Sequence, residues 1–240
     1  KICSSFFKAP MTIVCKEFER YNNGYGPKIE CPILQCGMMA AGLPWNDPID
    51  FKTKLLRLKD ALALVVLQRD QSEGRVSLSW LGTPEVSYEL CDEDKSSMLL
   101  GLDGILKILV SSGADYLTTG HNNDFGIDLE CEQATSCTAD VLKSKKMGTY
   151  LDEVQKRGIE KHRTSVFSAH QMGSCRMGIS DQDSVVNKNG EIWECADCYI
   201  MDASVFPTAS GANPMLTVLS ISHMLSNRLV KKLKYDEKIE

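Results

Sequence analysis

The clearest constraint on the fold is a helical repeat of leucines in the middle of the chain. Within residues 94–110, apolar side chains recur three, four and three positions apart, at Leu99, Leu102, Leu106 and Leu109. This spacing places them on one face of an amphipathic helix. The sequence SSG at residues 111–113 ends the pattern with a typical helix stop. Such a helix needs other elements to cover its apolar face.

A second helix is predicted near the end of the sequence. Asn213 followed by Pro214 is typical of an N-cap and a first helical residue. Lysines at residues 231–232 would complement the negative helix end, after an apolar face made of Val218, Ile221, Leu225 and Leu229. Residues 198–201 are interpreted as a short strand that stops at Asp202, so that strand, loop and helix form a βα arrangement.

The region from residue 61 to residue 90 is predicted to form antiparallel strands. In residues 75–80 (RVSLSW), Val, Leu and Trp alternate with Ser, which is typical of a half-buried strand. Residues 61–68 and 86–90 are further strand candidates. The turns that would join these strands lie at residues 70–74 and 82–84.

Composition excludes several classes of protein. The 240-residue chain has a formal net charge of -5 with dispersed basic residues, so no nucleic-acid partner is expected. The longest apolar run, residues 61–67, is far shorter than the roughly 20 residues of a membrane-spanning helix. No secretory signal is evident, so we expect an intracellular protein with mostly reduced, buried cysteines. The start at Lys1 rather than Met fits a fragment or a processed product, and a membrane attachment of a longer parent protein stays open.

The first candidate site is the segment at residues 170–178 (HQMGSCRMG), where an imidazole precedes a turning segment with two glycines. Because glycine has no Cβ, the backbone there could approach a flat ligand closely. A histidine with a pKa near neutrality can take the hydroxyl proton of an alcohol while hydride leaves the carbon. His170 is therefore a candidate general base. A structural or surface role stays open, since a single histidine is more often not catalytic.

The second candidate site is the loop at residues 202–214, which carries small residues and a fixed proline before the predicted helix. Backbone amides in such a loop could meet polar ligand atoms. Asn213 has two interpretations. N-capping alone explains an asparagine before a proline, whereas a catalytic amide at the positive end of the helix would suit an anionic ring. The two roles are compatible.

A metal site is a weak alternative. Cys195 and Cys198 form a Cys-x-x-Cys motif, which with Cys131 and Cys137 could in principle bind zinc through four thiolates. The second pair, however, does not have the spacing of a zinc knuckle. We therefore expect no metal.

A hydrolase is equally weakly supported. Ser174 or Cys175 could act as a nucleophile with His170 as its base. The sequence has no Gly-x-Ser-x-Gly elbow and no evident acid to orient the imidazole. We therefore favour a different chemistry.

Three segments together resemble the C-terminal signature of the glucose-methanol-choline (GMC) family of flavin oxidoreductases. They are residues 170–178, residues 184–190 (SVVNKNG) and residues 199–217 (YIMDASVFPTASGANPMLT). Within that family the chain is similar to the long-chain fatty alcohol oxidases of plants and fungi, as residues 9–12 (APMT) and 24–30 (GYGPKIE) also indicate. One departure is Asn187, where the family usually has Asp. We expect it to affect a turn more than the chemistry.

The resemblance implies FAD as cofactor and a long-chain primary alcohol as substrate. Oxidation would give an aldehyde, with hydride passing to the flavin and electrons to oxygen, which yields hydrogen peroxide. His170 would be the active-site base, and Asn213 would fill the second catalytic position. The implied cofactor-binding residues are Asp202, Ala203, Pro214 and Met215. The chain-length preference and the distinction between oxidase and dehydrogenase stay open.

The fold implied is α+β. A mostly antiparallel sheet backed by helices would form a substrate-binding domain at residues 1–168, and residues 169–240 would supply the strand–helix piece that completes an FAD-binding domain. A Gly-x-Gly-x-x-Gly unit is missing, because Ile29 stands where the third glycine would follow. We expect the chain alone to bind FAD weakly or not at all and to need the N-terminal FAD-binding half as partner. The alternative is a non-catalytic remnant or docking subunit without FAD binding of its own.

Overall fold

The structure, a computed structural model, describes residues 13–122 and 125–236. Residues 9–12, which contribute to the resemblance above, lie outside the described residues. The chain divides into two compact units, of which the first is Lys1–Gln68 with Cys91–Phe167 and the second is Arg69–Leu90 with Ser168–Glu240. The predicted division between substrate-binding and FAD-binding regions at residue 168 stays a prediction.

Short antiparallel sheets and helices make up both units, which confirms the α+β class. The strands of the described chain are β1 (Val14–Cys15), β2 (Lys28–Glu30), β3 (Val65–Leu67), β4 (Gly74–Leu78), β5 (Pro84–Tyr88), β6 (Tyr116–Thr118) and β7 (Gly126–Asp128). They pair in the orders β1-β2-β3, β4-β5 and β6-β7. The α-helices are α1 (Cys36–Gly42), α2 (Pro48–Leu56), α3 (Asp92–Ser111), α4 (Glu130–Thr135), α5 (Thr138–Lys143), α6 (Lys145–Arg157) and α7 (Met215–Asp236). Among the residues described, none of these helices combines the length and apolarity needed to cross a membrane.

Helix α3 is the central element of the first unit and confirms the predicted amphipathic helix. Asp92 and Glu93 in its first turn stabilise the positive helix end. Gly113, with a φ of +84°, lets the chain leave the last turn in a left-handed conformation. Leucines of its apolar face pack on β6, β7, α5 and α6. The buried residues of this first core are Leu106, Val110, Leu117, Phe125, Ile127, Leu129, Val141, Met147, Tyr150 and Val154.

A buried histidine lies beside the first core. His121 is only 2% exposed, and its Nε2 is 2.8 Å from the carbonyl oxygen of Gly158. Because a carbonyl oxygen can only accept, Nε2 carries the proton and Nδ1 accepts from the Thr119 hydroxyl at 2.7 Å. Burial lowers the pKa of His121, which favours the neutral ring. Both ring nitrogens are therefore used within the fold.

Strands β4 and β5 of the second unit form the predicted hairpin, but its burial differs from the prediction. Val76 pairs with Val86, and Leu78 pairs with Pro84, so that these side chains share one face. Val76, Leu78 and Val86 are 60%, 73% and 71% exposed. The prediction of a half-buried strand is wrong, because no described element covers this apolar face. Strand β3 pairs with β2 instead of β4, so residues 70–74 do not join paired strands.

Helix α7 confirms the second predicted helix, with shifted ends. Its first residue is Met215, and the amide of Val218 donates to the carbonyl of Pro214 at 2.8 Å. Pro214 thus stands at the cap rather than in the first helical position. The helix continues to Asp236, beyond the lysines at residues 231–232. Its apolar face closes a second core, whose buried residues are Val186, Val205, Phe206 and Leu225.

Residues 198–201 contribute a single antiparallel bridge, between Glu191 and Tyr199, instead of the predicted strand. The amide of Ile200 also donates to the carbonyl of Gly190 at 2.8 Å. Pairing does not continue past Ile200 because the facing segment turns at residues 187–190, where the amide of Gly190 donates to the carbonyl of Asn187 at 2.9 Å. The predicted βα arrangement is therefore reduced to a bridge, a loop and a helix.

Candidate functional site

Two of the candidate segments lie side by side in the second unit. The amides of Gly173, Cys175 and Met177 donate to the carbonyls of residues 203, 204 and 205, at 3.2, 2.9 and 2.9 Å. We call this run of three hydrogen bonds the site frame. It fixes the segment that begins with His170 against the start of the loop at residues 202–214. The two segments were predicted separately, and the fold brings them together.

The site frame needs glycine at residue 173. Gly173 has a φ of +80°, which favours glycine over residues with a side chain. A Cβ added there would lie 3.2 Å from the carbonyl oxygen of Phe206, which is tighter than ordinary van der Waals contact. Any larger residue would therefore push the segment and the loop apart.

The third segment of the signature, residues 184–190, is hydrogen-bonded to the segment at residues 170–178. Val186 is fully buried, and its carbonyl accepts from the amide of Gly178 at 3.0 Å. Asn187 lies in a turn, where its side-chain oxygen accepts from the amide of Asn189 at 2.8 Å and of Glu191 at 3.3 Å. This capping of a turn agrees with the prediction that Asn187 affects local structure.

His170 is half-buried at the beginning of the site frame. The following residue, Gln171, donates through its side-chain amide to the carbonyl of Ser168 at 2.7 Å, which restrains the backbone around the histidine. Within the described residues, the imidazole of His170 forms no hydrogen bond. Both ring nitrogens are thus left for a ligand or water, unlike those of the buried His121.

Asp202 and Ala203 lie in the site frame itself. The Asp202 carboxylate caps a short 3₁₀ turn, Ala203–Val205, and accepts from the hydroxyl and the amide of Ser204, the latter at 2.7 Å. These two bonds, the hydroxyl first, lower the pKa of Asp202. Ala203 contributes its carbonyl to the frame. Asp202 is exposed and stays ionised, and its predicted contact with FAD stays a prediction.

Arg69 anchors the remainder of the loop, a role that the sequence did not reveal. Its Nε donates to the carbonyl of Ala209 at 3.2 Å, and its Nη2 lies 3.5 Å from the Thr208 hydroxyl. Gly211 is buried against the same side chain, since a Cβ there would come within 2.7 Å of Arg69 Cδ. The partners are about 140 positions apart in sequence, so no local pattern could have identified the contact.

The predicted residues at the start of α7 are largely exposed. Asn213 is exposed, Pro214 is half-buried, and Met215 and Leu216 are 69% and 73% exposed. The positive end of a 22-residue helix thus lies beside an apolar surface. Such a surface can contact a flat aromatic ring that carries negative charge.

These features fit one edge of the FAD that the resemblance implies. The positive end of helix α7 and the exposed Met215 suit a flat ring that carries negative charge. Nothing among the described residues supplies a glycine-rich phosphate loop for the ADP half. Binding of part of a flavin by the second unit stays a prediction.

Other candidate features do not overlap with this site. An open surface depression in the first unit is lined by Tyr21, Asn22, Asp92, Glu93 and Ser96, and it includes no candidate site residue. In the described chain, no three His, Cys, Asp or Glu side chains come together as metal ligands. No cysteine among the described residues is buried, so the prediction of mostly buried cysteines is wrong, and Cys195 and Cys198 are both exposed.

Comparison with known proteins gives a consistent picture. A family model described as GMC oxidoreductase matches residues 70–222. A long-chain-alcohol oxidase of Arabidopsis thaliana is 35% identical over 217 residues, which are 90% of this chain and 28% of that protein. A second one from the same plant is 33% identical over 214 residues, which are 88% of this chain and 26% of that protein. The chain thus spans 26–28% of the length of these relatives.

Among solved structures, the crystal structure of pyridoxine 4-oxidase from Mesorbium loti is also similar. The match covers 85% of this chain and 34% of that chain. The sequence identity is 15%, and the TM-score is 0.44.

Proposed function

Because this chain belongs to the GMC oxidoreductase family, we propose that it forms the substrate-facing part of an FAD-dependent enzyme that oxidises long-chain primary alcohols to aldehydes. The observation that carries the proposal is the site frame, in which the segment after His170 is hydrogen-bonded to residues 203–205. The frame links a potential base to the loop that leads to Asn213. The roles of His170 and Asn213 thus rest on the resemblance, and the site frame supports the proposal by joining the two segments that contain them.

In this proposal, His170 is the general base. Its ring forms no hydrogen bond within the described residues, so one nitrogen can accept the hydroxyl proton of the alcohol. The Gln171 side chain holds the adjacent backbone through Ser168, which restrains where the ring can move. The exposed Asn213 would donate its side-chain amide to the same substrate oxygen. Two groups would then orient the alcohol and take its proton.

The other residues would bind and orient rather than react. FAD, when bound, would accept the hydride from the alcohol carbon and pass electrons to oxygen. The exposed Met215 and Leu216 would contact its ring and exclude water from that surface. Arg69 holds Ala209 in place and would keep the loop from collapsing into the ligand space. Asp202 would add a carboxylate near the ribityl chain.

The long-chain substrate and the oxygen acceptor rest on the relatives, both of which are named long-chain-alcohol oxidases. Since this chain spans 26–28% of their length, the missing flavin-binding parts must be supplied in a test. We would replace the corresponding region of one such oxidase with this chain and purify the fusion.

The expected result is a fusion that contains FAD and converts long-chain primary alcohols to aldehydes, with one hydrogen peroxide per aldehyde. Ethanol and a long-chain secondary alcohol are the matched substrate controls. Aldehyde formation without hydrogen peroxide would mean that an electron acceptor other than oxygen reoxidises the flavin. A folded fusion with full flavin content and no alcohol oxidation would favour the non-catalytic docking role instead.

A further inference from the structure

Cys195 and Cys198 lie at the two ends of a surface turn in the second unit, and the catalytic proposal uses neither. Both thiols are exposed and reduced. A single residue holds both ends of the turn: the Cys195 amide donates to the Ile192 carbonyl at 3.4 Å, and the Ile192 amide donates to the Cys198 carbonyl at 2.9 Å. The backbone therefore brings the two cysteines together before any bond forms between them.

The spacing suits a disulfide. The first and fourth residues of a tight turn have Cα atoms within roughly 7 Å of each other. Disulfides bridge Cα atoms that are roughly 4.4–6.8 Å apart. Ala196 and Asp197 form the turn between the cysteines. The backbone spacing of such a turn is therefore compatible with a disulfide between its first and fourth residues.

Asp197 keeps this turn in its present shape. It has a φ of +59°, a left-handed conformation that aspartate tolerates better than most residues. Its amide donates to the Glu191 carboxylate at 3.0 Å, and its own carboxylate is 3.2 Å from Lys232 Nζ. Lys232 also donates to the Tyr199 hydroxyl at 2.6 Å. The turn is thus fixed by charged groups and does not depend on a covalent bond.

The other exposed thiols lack this arrangement. Cys36 is in helix α1 and Cys131 is in helix α4, while the thiol of Cys137 donates to Asp140 at 2.9 Å. A metal is also not indicated at Cys195 and Cys198, since no third ligand approaches them in the described part of the chain. Two adjacent, exposed thiols without further ligands are suited to oxidation rather than to zinc binding.

We propose that Cys195 and Cys198 form a reversible disulfide when the protein meets a hydroperoxide. One thiolate attacks the peroxide oxygen, which gives a sulfenic acid and releases water or an alcohol. The second thiolate then attacks that sulfur and releases a second water. In total, two thiols lose two protons and two electrons, and the peroxide is reduced. The closed bond locks the turn that Lys232 ties to helix α7.

This inference goes beyond the proposed function and does not require it, because the peroxide can be added as a reagent. If the chain forms part of an oxidase, the same oxidant is a product of its own reaction. The modification site would then respond to turnover. A failure of the fusion to oxidise alcohols would leave the thiol test unaffected.

The sequence makes the test direct. Trypsin cuts after Lys188 and after Arg228, and the peptide at residues 189–228 between them contains only these two cysteines. The 240-residue chain is treated with a low concentration of hydrogen peroxide, free thiols are alkylated under denaturing conditions, and the peptide is analysed by mass spectrometry. We expect a loss of two hydrogens and no alkylation, with both thiols alkylated after reduction. Methionine oxidation adds oxygen and is distinguished by mass.

Matched variants decide the assignment. In Cys195→Ser and Cys198→Ser, the remaining thiol should gain oxygen or stay alkylatable, and the loss of two hydrogens should disappear. Cys131→Ser, which removes an exposed thiol elsewhere, should leave the disulfide unchanged. The proposal is overturned if the wild-type peptide keeps two alkylatable thiols under peroxide. It is also overturned if either thiol pairs with a cysteine outside the peptide.

Discussion

The two units of this chain are stabilised in different ways. The first buries a continuous apolar core under helix α3, in which Leu106, Val110 and Val154 are fully buried. The second has a small core, and its candidate site is held by backbone hydrogen bonds and by Arg69. Apolar burial contributes roughly 25 cal/mol per Å², whereas one hydrogen bond contributes about 1 kcal/mol net. The site therefore depends on a few individual contacts.

Both units leave apolar side chains exposed. In the first unit, Ile49 and Leu56 are each 78% exposed. In the second unit, Trp80 is 92% exposed and Leu216 is 73% exposed. Loops that carry binding residues need a rigid scaffold but cannot be buried themselves. Substitutions in the first unit should thus affect stability, and substitutions in the second should affect the site more than the stability.

The largest expected effect compares two fully buried leucines, Leu106 in the first core and Leu225 in the second. Leucine-to-alanine changes in cores cost about 2–5 kcal/mol, depending on how far the surroundings collapse. We expect Leu106→Ala near the upper end of this range, because helices and strands enclose it on all sides. Leu225→Ala should lie near the lower end. Urea unfolding of both variants measures the difference, and an equal or larger cost for Leu225→Ala would contradict the comparison.

The next largest effect is expected at Arg69, which anchors the loop at residues 202–214. Arg69→Ala removes the charged donor to the Ala209 carbonyl, and hydrogen bonds of this kind contribute about 1.5–3 kcal/mol. Opening of residues 207–213 should therefore increase roughly tenfold to a hundredfold. Limited proteolysis and amide exchange of the loop measure this opening. Arg69→Lys, which keeps the charge but not the planar donor group, should be intermediate.

If Arg69→Ala opens only the loop, amide exchange in helix α3 should stay unchanged in this variant. Equal acceleration of exchange in α3 and in the loop would mean that Arg69 supports the whole fold. That outcome would remove the distinction between the two units.

A smaller effect on the free energy of unfolding is expected when the pH is lowered. Burial lowers the pKa of His121 in the folded chain, whereas the unfolded chain takes up the proton near the ordinary value of about 6.5. The unfolded state thus binds more protons below that pH. The contribution of His121 to stability is complete above about pH 6.5 and declines as the pH falls through the unfolded and then the folded pKa.

The unfolding free energy, measured by urea between about pH 8 and about pH 5, should therefore depend less on pH in His121→Gln than in the wild type. His223→Gln is the control, because His223 is an exposed histidine of the second unit whose Nε2 contacts Asn227 at 2.9 Å. The change in pH dependence should be larger for His121→Gln than for this control. Unchanged pH dependence in His121→Gln would contradict the neutral, buried state of His121.

The smallest effect is expected on the exposed face of the β4–β5 hairpin. Val76→Thr and Val86→Thr keep a β-branched side chain and replace exposed apolar surface with a hydroxyl. Exposed substitutions usually change stability by less than about 0.5 kcal/mol. Chemical unfolding checks this expectation. A cost above about 1 kcal/mol would show that the face is covered in solution.

The sequence predicted the helices better than the strands, for a physical reason. The repeat from Leu99 to Leu109 and the face that includes Val218 and Leu225 are local patterns with a helical period, and both helices form. The alternation in residues 75–80 correctly predicted β4. It could not predict burial, because alternation defines two faces and does not say what covers either one.

Residues 198–201 failed as a predicted strand because strand formation depends on a facing segment. The facing segment extends only from Gly190 to Ile192 before it turns, so the pairing is limited to the bridge between Tyr199 and Glu191 and the hydrogen bonds beside it. The candidate site was likewise predicted only in part from the sequence. His170 and Asn213 were proposed from motifs and their roles stay predictions, whereas the site frame and the Arg69 anchor join segments that are far apart in sequence.

The most direct test of the central claim is the rate of aldehyde formation by the fusion enzyme with His170→Ala, compared with His223→Ala as a matched histidine control. General-base catalysis typically contributes about 10²–10⁴-fold in rate. We predict a loss of kcat in this range for His170→Ala, with unchanged flavin content, and no loss for His223→Ala. An unchanged kcat in His170→Ala, at full flavin content, would contradict the account.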